Sequence, residues 1–470
     1  MTFWLLVIGG VYGVTLVVAT IKARQASHNS DDYVMAGSNV GVVLGFLTFG
    51  ATLFSTFTLM GMPDFFRTHG IGAWIFLAVS DAAVAFVVLW FGSKLRRRVS
   101  SKDFKGMAGL MRDSYKTPWA GYLYFATIFI FLTPYVAIQI RGISIFLNAA
   151  FPLTLPDWGW AASIVVVMLI YSEIGGLKAI IYSDALQGIL LLVVTWVIAY
   201  GCVQNFGSIQ LMFDSVREVN PALLSTPGPK GLFNTQFLLA SFLVILFLPL
   251  TQPQLATRMI IMRDMQSMQQ MAIALGIFAI AVILPTVAIG MYGAVHYADV
   301  SASEFLAQVL LHEQAPALAA CVAVGLVAAA MSTSDSQLFA LGTELRSLLS
   351  GKEKTIMIYT RLAIVCFAGL AFLFAIMSSE EMVLLARVSF TGTALVGPMI
   401  LTAVLTRRKL GSEILILTAT ALALFLISLS GLIPTSLLSI RLELLLLLFL
   451  TIFISLSVLC RKSLELKTVS

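Results

Sequence analysis

The stretch AAAMSTSDSQ, residues 328–337, sits inside an otherwise apolar run from 316 to 345. An ionisable side chain at the centre of a membrane span costs on the order of 2.5–3.5 kcal/mol on insertion scales. Asp335 is therefore expected to face a partner, a cavity or an ion rather than lipid. On a helix, Ala329, Ser332 and Thr333 fall at i, i+3 and i+4, and Ser332, Asp335 and Ser336 repeat that spacing. The two oxygen-bearing triplets overlap at Ser332. Clusters of hydroxyl, carboxylate and backbone oxygens are what a hard cation takes in exchange for its water shell. The stretch thus predicts a helical membrane scaffold that binds a cation, sodium first among candidates.

The rest of the chain agrees on the class. Hydrophobic residues make up 59% of the 470, charged residues 11%, and mean hydropathy is +0.97. Soluble domains do not reach such values, so an all-α polytopic membrane protein is expected. Apolar runs near 3–21, 41–62, 71–92, 119–148, 158–175, 180–203, 234–256, 268–292, 316–345, 355–377, 382–405, 412–432 and 438–460 give about thirteen spans. The first has no basic leader region and no small-residue cleavage site, and reads as a retained helix. Most of the 29 basic residues, among them Lys94, Arg96, Arg97, Arg98, Lys102, Lys178, Arg258, Arg263, Arg408 and Lys409, fall on one side if the N-terminus is outside. Arg67, Arg217 and Lys230 fall on the other. The positive-inside rule then sets the N-terminus out and the C-terminus cytoplasmic, and favours a bacterial cell inner membrane.

Several classes are excluded by the same reading. The net charge of +6 is spread over many loops and explained by topology, so no nucleic acid is expected as partner. The four cysteines lack metal-ligand spacing and the four histidines are scattered, which argues against zinc. No nucleophile–base pair lies within a span, so no enzyme is expected. No cofactor beyond a coupling ion and no obligatory protein partner is indicated; the expected partners are a small-molecule substrate, sodium and the bilayer.

The chain reads as a single transmembrane transporter domain over 1–470. The second span carries Gly50, Ser55, Thr56, Thr58 and Gly61 before Pro63, and the seventh carries Pro249, Gln252 and Pro253. Interrupted spans five helices apart point to an inverted repeat with a central site. Residues 1–40 would form a leading helix and linker, 41–203 a first five-helix repeat, 234–410 a second, and 411–470 two accessory helices. The 204–233 connection, with Pro221, Pro227 and Pro229, is expected outside with a short surface helix. The basic segment from Lys94 to Pro118 reads as an amphipathic helix lying on the anionic leaflet.

Four further strings accompany AAAMSTSDS: DDYVMAG at 31–37, ATLFSTFTLMG at 51–61, GGLKAIIYSDALQG at 175–188 and QPQLATR at 252–258. Together, in this order, they resemble the solute:sodium symporter family, which includes bacterial proline, sialic acid, pantothenate and sugar symporters. The resemblance implies a LeuT-like fold with a 5+5 inverted repeat. It also implies a sodium site made by the backbone oxygens of Ala51, Phe54 and Ala329 and the hydroxyls of Ser332 and Thr333. The competing reading is that Ser332 and Thr333 bond back to carbonyls of their own helix. A second cation site, present in some members of the family, would map to Asp184, Asp335 and Ser336, although Asp335 stands where that subset has serine. The alternative is that Asp184 crosslinks helices and Asp335 pairs with Arg141 or Arg361.

The resemblance places substrate beside the second-span break, at Ser55 and Thr58. Gln139 and Asp81 join the polar lining, and Arg141 and Arg387 are too deep in their spans to snorkel. Buried guanidinium groups suit carboxylate recognition, so a small organic anion or amino acid is the expected solute. Helix pairing through Asp81, Asp335 or Glu381 is the alternative role for the arginines. The function expected is sodium-coupled symport by alternating access. Proton coupling through Asp184 and Asp335, and less readily a transporter-like sensor, are the alternatives.

Overall fold

The computed structural model describes residues 1–25, 35–99, 104–151, 154–378, 381–407 and 410–469. The first four residues of DDYVMAG, together with Lys102, Arg408 and Lys409, lie outside them.

In chain order the helices are α1 (Thr2–Gln25), α2 (Val42–Leu53), α3 (Phe57–His69), α4 (Ile71–Arg98), α5 (Met107–Tyr115), α6 (Pro118–Ala150) and α7 (Asp157–Phe206). Then come α8 (Ile209–Val219), α9 (Thr235–Thr251), α10 (Pro253–Ile260), α11 (Met265–His296), α12 (Ala302–Ala307) and α13 (Pro316–Leu348). The last are α14 (Glu353–Met377), α15 (Met382–Ala394), α16 (Gly397–Leu405), α17 (Ser412–Leu429) and α18 (Leu442–Val469). A two-residue hairpin, Ser436–Leu437 with Ile440–Arg441, precedes α18.

Among the described residues, nine helices are long and apolar enough to cross a membrane, and three bent pairs form further spans. A shorter apolar stretch, Asp157–Leu169, stands where the fifth span is expected. It belongs to α7, which at 50 residues runs roughly 75 Å, long enough for two membrane crossings.

The bends follow from local chemistry. The α2/α3 pair turns by 50° at Phe54, whose backbone is extended at φ −102, ψ 121. The α9/α10 pair turns by 56° at Gln252. Pro253 follows it, and a residue before proline is pushed out of helical conformation; Pro253 then occupies the first helical position, where its missing N–H costs nothing. A third bend of 41°, between α15 and α16 at Leu395 and Val396 just ahead of Gly397 and Pro398, was not anticipated from the sequence.

Helix α13 is the hub. It packs on α7, α6 and α1, and its 316–348 span is the most enclosed of the nine unbent spans among the described residues. Helix α1, by contrast, leaves most of its apolar surface free, as a lipid-facing helix does. The 204–233 connection does hold a surface helix: α8 is capped by Ser208, whose hydroxyl accepts from the Leu211 amide. The segment before Pro118 does not lie on a leaflet. Met107, Ala108, Met111 and Tyr115 of α5 are buried against α6 and α13, and the Glu344 carboxylate accepts from the Met107 and Ala108 amides at 2.9 and 2.5 Å. A carboxylate at a helix N-terminus satisfies donors that no helical carbonyl reaches.

Candidate functional site

Three amides decide what the break in α2/α3 exposes. Phe54 N–H completes the last turn of α2 on Gly50 O at 2.8 Å. The next two relevant donors leave the helical ladder: Ser55 N–H goes to Thr58 Oγ1 at 3.2 Å and Thr58 N–H to Ser55 O at 2.9 Å. In a continuous helix those two amides would point at Ala51 O and Phe54 O. The neighbouring Leu53 O is held by the Tyr135 hydroxyl at 3.3 Å.

Opposite this break lies α13, which packs on α2 and receives the Thr56 hydroxyl on Leu326 O at 3.4 Å. Ser332 and Thr333 are fully buried there. Neither bonds back to its own helix. Ser332 Oγ donates to Asp184 Oδ1, and Thr333 Oγ1 has no hydrogen-bond partner. A hydroxyl whose proton is committed to a carboxylate turns its lone pairs outward, ready to accept a cation.

The residues expected to form a second cation site are also brought close, but around a guanidinium. Arg258, in α10, is 1% exposed and reaches Asp184 Oδ2 at 3.1 Å and Ser336 Oγ at 2.8 Å with one nitrogen. Its Nε lies 3.3 Å from Thr48 Oγ1, and the Thr48 hydroxyl donates to Asp184 Oδ2 at 2.5 Å. Arg258 is therefore no cytoplasmic loop residue, as the sequence reading had it. The bend at Gln252 swings α10 back under α2 so that the arginine points inward. Asp184 is the hub of this cluster, and Asp335 is not bonded to it; Asp335 is buried with Oδ1 lacking a partner.

The described structure holds a cavity on the other side of the break. Leu53, Phe57, Phe76, Asp81, Tyr135, Ser241, Ile245, Arg387 and Phe390 are among its walls. Of the expected substrate residues it takes Asp81 and Arg387. Ser55 and Thr58 are buried in the break itself, and Gln139, also buried, bonds back to Tyr135 O at 3.3 Å. Arg141 pairs instead with Asp157 at 3.8 Å, joining α6 to the start of α7. Arg387 pairs with none of the acids named from the sequence. Its Nη2 meets Glu443 of α18 at 2.6 Å, its Nε donates to Ser241 at 2.7 Å, and its guanidinium lies 4.7 Å from the Phe237 ring centre. Thr48, Tyr135 and Arg258 are the residues sequence reasoning missed. Arg258 had a usable signal, the prolines at 249 and 253, which mark a bend that can redirect the following turn.

The break in α2/α3 thus sets carbonyls freed from helical bonding and the buried hydroxyls of α13 on two packed helices, with a cavity alongside. The chain belongs to the sodium:solute symporter family, whose model matches residues 33–412. It is 23% identical over 332 residues to the sodium/pantothenate symporter of Haemophilus influenzae, spanning 68% of this chain and 66% of that protein. It is 26% identical over 351 residues to the sodium/proline symporter of Escherichia coli, spanning 70% of this chain and 66% of that one. Each match thus leaves about a third of the relative's length uncovered. Among solved structures, a Na+-coupled sialic acid symporter in a substrate-bound outward-open state superposes with a TM-score of 0.74 at 16% identity over 95% of both chains. The fold is the LeuT-like fold of sodium-coupled transporters, and the protein is a multi-pass membrane protein.

Proposed function

We propose that the protein is a secondary active symporter that imports a small organic solute with sodium by alternating access. The observation that carries this is that the carbonyls of Ala51 and Phe54 are released from helical bonding in a broken helix packed on α13, where the buried Thr333 hydroxyl has no partner. Buried polar groups left without partners are costly, and a bound cation would satisfy all three at once. Ala329 O and the Ser332 hydroxyl complete the set.

Sodium held there joins α2 and α3 to α13 and so completes the neighbouring cavity. Ion and solute then raise each other's affinity by the same factor. One sodium per cycle is the stoichiometry this supports, because the Arg258 guanidinium stands at the centre of the second cluster and supplies its positive charge. Within the repeats assigned to 41–203 and 234–410, a four-helix bundle would rock against the rest and expose ion and solute to the cytoplasm. The N-terminus is placed outside and the C-terminus in the cytoplasm of a bacterial inner membrane, as the basic loops favour. Proton coupling on the same scaffold is the second reading, favoured by the unpartnered Oδ1 of Asp335.

The test is a thermal-shift screen of purified protein over small carboxylates, amino acids and sugars, run in sodium and in potassium. Solute stabilisation is expected in sodium alone. Equal stabilisation in the two salts contradicts sodium symport.

A further inference from the structure

The cavity walls are mostly apolar, and its two charged residues are not equivalent. Arg387 enters it already engaged by Glu443 and Ser241 and stacked over Phe237. Asp81 is 6% exposed and lies within α4, and its carboxylate has no hydrogen-bond or ion-pair partner among the described residues. Around it the same cavity presents the rings of Phe57, Phe76, Tyr135 and Phe390.

A buried carboxylate without a partner is costly to keep in an apolar wall. A cationic group brought in by the solute removes that cost, and aromatic faces attract the same group through their ring quadrupoles. We infer that the solute carries a protonated amino group, with Asp81 as its counter-ion and the aromatic wall holding an apolar body. This rests on the cavity being the solute site of the symporter proposed above. It narrows the expected solutes to amines and amino acids, and removes simple organic anions.

The experiment is equilibrium binding to the purified protein, in sodium, of three matched series: short aliphatic amines, the corresponding amino acids, and the corresponding carboxylates without an amine. Amines or amino acids should bind and the carboxylates should not. Asp81→Asn should weaken the binding by at least about tenfold, as expected for loss of a charge-assisted contact, while Asp81→Glu retains part of it. Thermal unfolding without solute reports whether each variant is folded. Carboxylates binding as well as the amino acids, no amine-bearing compound binding, or unchanged affinity in folded Asp81→Asn would each overturn the inference. Repeating the series in potassium separates the two readings. Amine selectivity that persists without sodium leaves Asp81 in its role and sinks sodium coupling; sodium-dependent binding of carboxylates does the reverse.

Discussion

The cluster around Asp184 and the cavity around Asp81 each hold a buried aspartate, and they differ in what surrounds it. Asp184 takes two hydroxyls and a guanidinium, from α2, α13 and α10. The Asp81 carboxylate takes no partner among the described residues. A saturated buried network ties elements together, whereas an unsaturated group waits for something that arrives from outside. On the reading proposed above, one aspartate belongs to the frame and the other to the solute site.

The comparison breaks most visibly at Arg258. Arg258→Met leaves Asp184 buried without its counter-charge and should cost about 3–5 kcal/mol, read as a lower unfolding midpoint. Adding Asp184→Asn should restore much of the loss, since the buried charge is then gone as well. Asp81→Asn tests the other side: removing an unpaired buried charge should leave the solute-free protein as stable as before or more so. A comparable loss at both aspartates would erase the distinction. Glu443→Gln comes next. It releases Arg387 from its acidic partner among the described residues and should lower stability by about 1–3 kcal/mol. The smallest effect is expected at Asp264, which caps α11 by accepting from the Ser267 amide at 2.7 Å. That bond and the Arg263 guanidinium draw its carboxyl down to about 2. A depressed folded value means its stabilisation is complete above the unfolded range near about 3.9 and is lost as pH falls toward the folded value. Asp264→Ala should lower the unfolding midpoint slightly at neutral pH, where the contribution is complete, and flatten the pH dependence of unfolding below that range.

The sequence made the class of fold and the location of the polar knot legible, because both rest on local composition. Interrupted spans at 50–61 and 249–253 could be read for the same reason: glycine, proline and hydroxyl residues announce a break where it occurs. The third bend, ahead of Gly397, carries a similar Gly-Pro signal but lies within the apolar run 382–405, whose unbroken hydropathy hides it. Partnerships were harder. Arg258 follows a polar stretch and counts as a loop cation until the 56° bend turns it inward. Arg387 finds Glu443 across 56 residues of chain, a pairing no spacing encodes. Asp335 attracted attention as an anomaly in its own helix, yet Asp184, from a different helix, holds the cluster. Helix α5 looked amphipathic for a lipid surface when its apolar face in fact meets protein, because periodicity gives the face but not what covers it.

The central claim is that sodium sits between the broken α2/α3 pair and α13. Direct equilibrium binding of radioactive sodium to the purified protein, compared with Thr333→Val, tests it most closely. The hydroxyl removed has no hydrogen bond to lose, so the variant should keep its unfolding midpoint. The account predicts one saturable sodium per protein, with affinity lowered at least about tenfold by Thr333→Val. Undiminished sodium binding in the folded variant would contradict it.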